Sequence, residues 1–186
     1  MTFSNPAGSA AAAATTYVRA LLDVLGRREP VEVLAELVPW VSDRIQGLDD
    51  ATLRRPEAPG KWSAIEVLQH LADSDLVFSY RLKMILTAES PPLQGYDQDR
   101  WAGELRYREA PLDLVLDQMR SLRAANLHVV RRLSPSQLER VGLHSERGPE
   151  SAGFLLRLMG AHDLVHRRQI DRILTTIAAR GKTPKT

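Results

Sequence analysis

The 186-residue chain carries 25 Lys and Arg against 23 Asp and Glu, a net charge of +2, with 44% hydrophobic and 26% charged residues. That length and mix point to one globular domain with a sizeable core, and they exclude a fibrous or disordered chain. Cysteine is absent, which excludes disulfides, thiolate metal ligands and a cysteine nucleophile.

The two charge signs are interspersed, and only the pairs Arg131–Arg132 and Arg167–Arg168 stand out, so no nucleic-acid partner is expected. No apolar run approaches the ~20 residues needed to span a bilayer. Residues 1–16 lack the basic start and apolar centre of a secretory signal. The expected address is the cytoplasm, with no membrane association.

Residues 1–16, with the run Ala10–Ala14 among Ser, Thr and Gly, read as a flexible leader without an amphipathic stripe. Residues 17–180 read as one helical domain. A short helix is predicted over residues 16–26. A second begins near Pro30, where proline is harmless at the first helical position, with Leu34, Leu37, Val41 and Ile45 as its stripe; Pro39 is expected to bend it.

The clearest helix start follows Pro59-Gly60. There Ser63 and Glu66 form a capping box, and Trp62 can staple onto Val67. This helix is predicted to run to about Leu86, with Val67, Leu71, Phe78, Leu82 and Ile85 on one face. Residues 88–110, punctuated by Pro91, Pro92, Gly95 and Gly103, read as a long connection with a helical turn near residues 97–102. A third helix is predicted over residues 111–133. A fourth starts near Pro149 and stops before Gly181. No strand-length alternation and no internal repeat occurs, so the expected class is all-α, a four-helix bundle.

Five histidines occur, at 70, 128, 144, 162 and 166. The apolar stripe of the fourth helix runs through Leu155, Leu158 or Met159, His162, His166, Ile170, Ile173 and Ile177. Residues four apart share a helix face, ~5–6 Å apart at Cβ, a spacing at which two imidazoles can close on one ion. The alternative is a pair of core histidines hydrogen-bonded to neighbouring helices, in which any unsatisfied ring nitrogen costs ~1–3 kcal/mol. His70, at the edge of its helix's apolar face, is the best third ligand from another helix; three protein ligands leave a fourth position for water or substrate. His128 falls off its stripe, and His144 lies among Gly142, Ser145, Arg147 and Gly148 in an expected loop. Both read as surface residues, with His144 open to a role as a loop-borne substrate contact.

The segments Arg55-Pro56-Glu57-Ala58-Pro59-Gly60-Lys61-Trp62-Ser63, Glu66, His70-Leu71-Ala72-Asp73, Gly95-Tyr96-Asp97-Gln98-Asp99-Arg100-Trp101-Ala102 and His162-Asp163-Leu164-Val165-His166-Arg167-Arg168-Gln169-Ile170 together resemble the DinB/YfiT-like superfamily. The resemblance spans residues 31–174. It implies an up-down-down-up four-helix bundle, a homodimer, and one divalent ion, nickel or zinc, on His70, His162 and His166. It further implies a small-molecule substrate and a metal-dependent transferase or related hydrolase. Some members of the family conjugate low-molecular-weight thiols such as bacillithiol or mycothiol to electrophiles, so a thiol cosubstrate is one expectation.

Asp73, Asp163 and Gln169 are the neighbours expected to orient the ligand imidazoles through their non-coordinating N–H groups. Tyr96, Arg100 and Trp101, close together on the long connection, are the candidate pocket residues. Three classes remain open from sequence: a metal-dependent transferase or hydrolase, a metal-binding stress-related protein without turnover, and a helical interaction module with structural histidines.

Overall fold

A computed structural model describes residues 11–181 of the chain. In order these form α1 (Ala11–Leu25), α2 (Pro30–Ile45), α3 (Asp50–Arg54), α4 (Ala64–Thr87), β1 (Pro92–Leu93), α5 (Gln98–Glu104), a 3-10 turn (Tyr107–Glu109), α6 (Leu112–Val130), α7 (Pro135–Leu138), β2 (Val141–His144), β3 (Gly148–Ser151) and α8 (Ala152–Gly181). Of the expected leader, residues 1–10 lie outside the described residues, whereas Ala11–Thr16 form the opening turns of α1. Among the described residues no helix is long and apolar enough to cross a membrane.

Helices α2, α4, α6 and α8 make the bundle, and α1 packs along α8. Their directions follow from how the core divides. Leu37, Val41 and Ile45 of α2 pack with Ile65 and Leu71 of α4, Val115 and Met119 of α6, and Ile170 and Ile177 of α8. At the other end Leu34 packs with Phe78, Ile85, Val130 and Leu155. Residue numbers rise toward the first cluster in α2 and α8 and toward the second in α4 and α6, so the order is up, down, down, up. Each fully buried Leu or Ile stabilises this arrangement by ~1.5–3 kcal/mol.

Because α4 and α6 run parallel, residues 88–111 must carry the chain back along the bundle. They do so against α4. Arg81 donates to the Gln94 carbonyl, the Tyr96 hydroxyl lies 3.2 Å from Ser74 Oγ, Tyr107 donates to Asp73, and Arg108 Nε donates to Glu66 Oε2 at 3.1 Å. Glu66 also closes the start of α4, accepting from the Ser63 N–H at 2.7 Å.

The all-α class holds, and three short strands that were not expected are added to the bundle. β1 pairs parallel with β2, and β2 antiparallel with β3. These strands are two to four residues long and rich in Gly and Pro, so they carry no alternating pattern to read. A Cβ at Gly142 would lie 2.8 Å from Leu93 Cδ1, so the close approach of β2 to β1 requires glycine there. The pairing also delays the last helix: Pro149 lies in β3, and α8 opens at Ala152.

Candidate metal centre

Between the two apolar clusters each of α4, α6 and α8 turns polar, with His70, Asp73 and Asp75, then Arg123 and Asn126, then Asp163 and His166 all buried. Within this layer the Nε2 atoms of His70 and His162 stand 3.0 Å apart, and those of His166 and His162 3.1 Å apart. Donor atoms of all three rings fall within 4.8 Å of one another. The i, i+4 spacing on α8 supplies two of them, and the antiparallel packing of α4 brings the third. Trp62, just before α4, covers the cluster with its ring centroid 5.1 Å from that of His70.

His166 Nδ1 sits 2.7 Å from Gln169 Oε1. A carbonyl oxygen only accepts, so this nitrogen carries the proton and His166 Nε2 presents a lone pair to His162. Three neutral imidazoles whose Nε2 atoms converge cannot all be satisfied by one another, because at least one pair faces lone pair to lone pair or shares a single proton. A cation resolves the conflict. Nitrogens ~2.0–2.1 Å from a tetrahedral zinc stand ~3.3 Å apart, so the donor set and its spacing fit one divalent ion. Burial pushes the pKa of His70 and His162 well below the ordinary value and that of His166 to about 4, leaving the rings neutral, as metal ligands must be.

Of the three neighbours expected to orient the imidazoles, Gln169 is thus the one that hydrogen-bonds a histidine of the cluster. Asp73 instead accepts from Tyr107 and from Gln118 Nε2 at 2.7 Å. Asp163 belongs to a buried ionic group on Arg123. That guanidinium donates from Nη2 to Asp163 Oδ1 at 3.1 Å, from Nε to Asp75 Oδ2 at 3.0 Å, and from Nη1 to the Leu34 carbonyl at 2.9 Å.

Beside the histidines lies a cavity of about 120 Å³ reached by His162, Ser74, Arg81, Tyr96, Gln98 and Arg147 on its polar side, with an apolar wall from α1, α4 and α8. Tyr96 therefore stands where a pocket residue should. Trp101 stacks on it from behind, ring centroids 4.5 Å apart, and Arg100 is exposed and absent from the lining. His128 is exposed on α6. His144 is corrected from surface to interior: it is 3% exposed in β2, where burial pushes its pKa down to about 3, aided by Arg147 and Arg81.

Sequence reasoning missed Arg81 and Arg147 as cavity residues. No local signal marks them, because an arginine on a helix or beside a glycine ordinarily reads as solvated.

The match with the DinB superfamily covers residues 41–170. A "putative metal-dependent hydrolase" of Oceanobacillus iheyensis is 30% identical over 74% of this chain and 81% of its own length. Another, from Bacillus mycoides, is 26% identical over 75% and 80%. The solved structure of YfiT from Bacillus subtilis, described as "a probable metal-dependent hydrolase with an unusual four-helix bundle topology", superposes with a TM-score of 0.72 at 25% identity, covering 77% of this chain and 83% of that one.

Proposed function

The chain belongs to the DinB superfamily, and on that footing we propose that it is a metal-dependent hydrolase of a small molecule, holding one nickel or zinc ion on His70, His162 and His166. The observation that carries this reading is the convergence of three Nε2 atoms, mutually unsatisfiable as neutral imidazoles, with His162 lining a cavity. The names of the relatives support it. Imidazole donors suit both metals, and a divalent ion bound there would supply the Lewis acidity that makes a nucleophile available near neutral pH.

The residues of the chain do the rest. Gln169 fixes the His166 tautomer, Trp62 shields the ligand cluster, and the Arg123 group holds α4, α6 and α8 in register beneath it. Burial raises the pKa of Tyr96, so its hydroxyl keeps its proton and can donate toward a bound ligand. Transfer to a low-molecular-weight thiol is the sister reaction; as the sequence has no cysteine, that thiol would come as cosubstrate.

The test is to load metal-stripped protein with nickel or zinc, measure stoichiometry by elemental analysis, and screen ester, amide and lactone hydrolysis beside thiol conjugation. One ion per chain and metal-dependent turnover are expected. Failure to take up either ion would overturn the reading.

A further inference from the structure

We propose that the cavity beside His162 contains a carboxylate subsite built on Arg81, so that its ligand is a small amphiphile with one carboxylate, an apolar body and a reactive end at the histidines. The orientation rests on the metal-centre reading above; the subsite does not.

Arg81 is only 9% exposed, yet among the described residues no carboxylate lies within ion-pair distance of it. Its Nη2 donates to the Gln94 carbonyl, while its Nε–H is buried with no partner. A buried cation without a counter-ion is costly, and burial pushes its pKa down. Arg147, on the same cavity, is already neutralised by Glu150, Nη2 to Oε2 at 3.0 Å. Glu146 and Glu150 temper the charge of Arg81 from a distance without bonding to it, so the site has too little net positive charge for a dianionic phosphate and suits a monoanionic carboxylate better.

A second orphan group points the same way. His144 Nδ1 accepts the Glu146 N–H at 3.1 Å, which leaves the ring proton on Nε2, and that atom is also buried without a partner. It lies within the fields of Arg81 and Arg147. His144 does not itself line the cavity, but both unmet groups are donors, so what this region lacks is an acceptor. Arginine meets a carboxylate with two parallel N–H donors, a fork that a lone hydroxyl cannot match.

The remainder of the cavity sets the shape of the ligand. Leu155, Leu158 and Met159 of α8 and Val77 and Phe78 of α4 line it, an apolar wall beside the polar groups. Arg81 lies three turns after His70 on α4, ~16 Å along the axis. The reach of the arginine shortens that span to one filled by a body of roughly six carbons.

The probes are hexanoate, hexan-1-ol, hexylammonium and hexyl phosphate, titrated calorimetrically into the metal-loaded protein and into its Arg81→Gln, Arg81→Lys and His70→Ala variants. Hexanoate is expected to bind about 10- to 100-fold more tightly than hexan-1-ol, the range for a charge-assisted pair, and hexylammonium not at all. Arg81→Gln should erase the difference between acid and alcohol. Arg81→Lys, which keeps the charge and stands in if the glutamine variant does not fold, should weaken hexanoate about tenfold and leave the alcohol unchanged. His70→Ala should retain the preference.

Equal binding of acid and alcohol, or tighter binding of the phosphate, would overturn the proposal. So would a preference that survives Arg81→Gln and vanishes in His70→Ala, because the carboxylate would then sit on the metal. Arg81-dependent hexanoate binding in a protein that takes up no metal would leave the subsite standing and remove the hydrolase reading.

Discussion

His70 and His162 are 92 residues apart in sequence, yet their Nε2 atoms lie 3.0 Å apart. His166 completes the cluster from one turn further along α8. Replacing His70 or His166 with alanine should therefore abolish tight nickel and zinc binding, and His128→Ala, on the exposed face of α6, should leave it intact. Titration calorimetry on the three variants checks this; equal losses in all three would show that the ions bind elsewhere.

A native-state ligand also stabilises. At a free metal concentration 100 times Kd the gain is ~2.7 kcal/mol, which for a domain of this size raises Tm by roughly 5–10 °C. Scanning calorimetry with zinc, then with excess chelator, should show the rise and its reversal.

Gln169 accepts the Nδ1 proton of His166. Gln169→Leu should lower metal affinity by ~10–100-fold, the usual effect of losing the partner that orients a ligand imidazole, while the thermal transition of the metal-free protein moves little. Gln169→Glu, which preserves an acceptor, should restore most of the affinity.

Arg123→Met strands Asp75 and Asp163 in the interior, and breaking a buried ionic group in this way costs ~3–5 kcal/mol. Urea denaturation should report that loss. The triple variant Arg123→Met, Asp75→Leu, Asp163→Leu, which removes all three charges together, should recover most of it.

Acid should destabilise the metal-free protein. His144 and His166 titrate near 3 and 4 in the folded chain against an ordinary 6.5, and His70 and His162 are shifted the same way. The unfolded chain thus binds more protons below pH 6.5. The stability these rings contribute is complete above that pH and drains as pH falls through the window, at ~1.4 kcal/mol per pH unit for each ring. Asp75, raised by burial to about 6, offsets part of the loss. Urea midpoints measured from pH 7.5 to 5 should decline for metal-free protein, and with zinc present they should start higher and decline at least as steeply, because the metal-bound rings also carry no proton.

The bundle was legible because its helices bury one stripe each, and Leu34, Leu37, Val41 and Ile45 or Phe78, Leu82 and Ile85 announce those stripes at helical spacing. The histidine pair on α8 was legible for the same reason, lying inside such a stripe. Residues whose surroundings are made by the crossover were not. Arg81 is buried because residues 88–111 fold back over α4. His144 is buried because a two-residue strand pairs with β2, and neither event leaves a local period. Arg100 lies near Tyr96 in sequence, but on α5 it is exposed while Tyr96 lines the cavity.

Arg123 reaches α4 through Asp75, α8 through Asp163 and the backbone of α2 through Leu34, while standing on α6. Apolar helices can slide past one another by a fraction of a turn at small cost, since oily contacts have no preferred direction; a guanidinium with fixed donor directions permits no such slip. The four helices are thereby indexed to one another at a point beside the histidines. Side chains on the cavity wall can then be exchanged without shifting the histidine nitrogens, which leaves the preference for a bound small molecule free to diverge while the histidine cluster keeps its geometry.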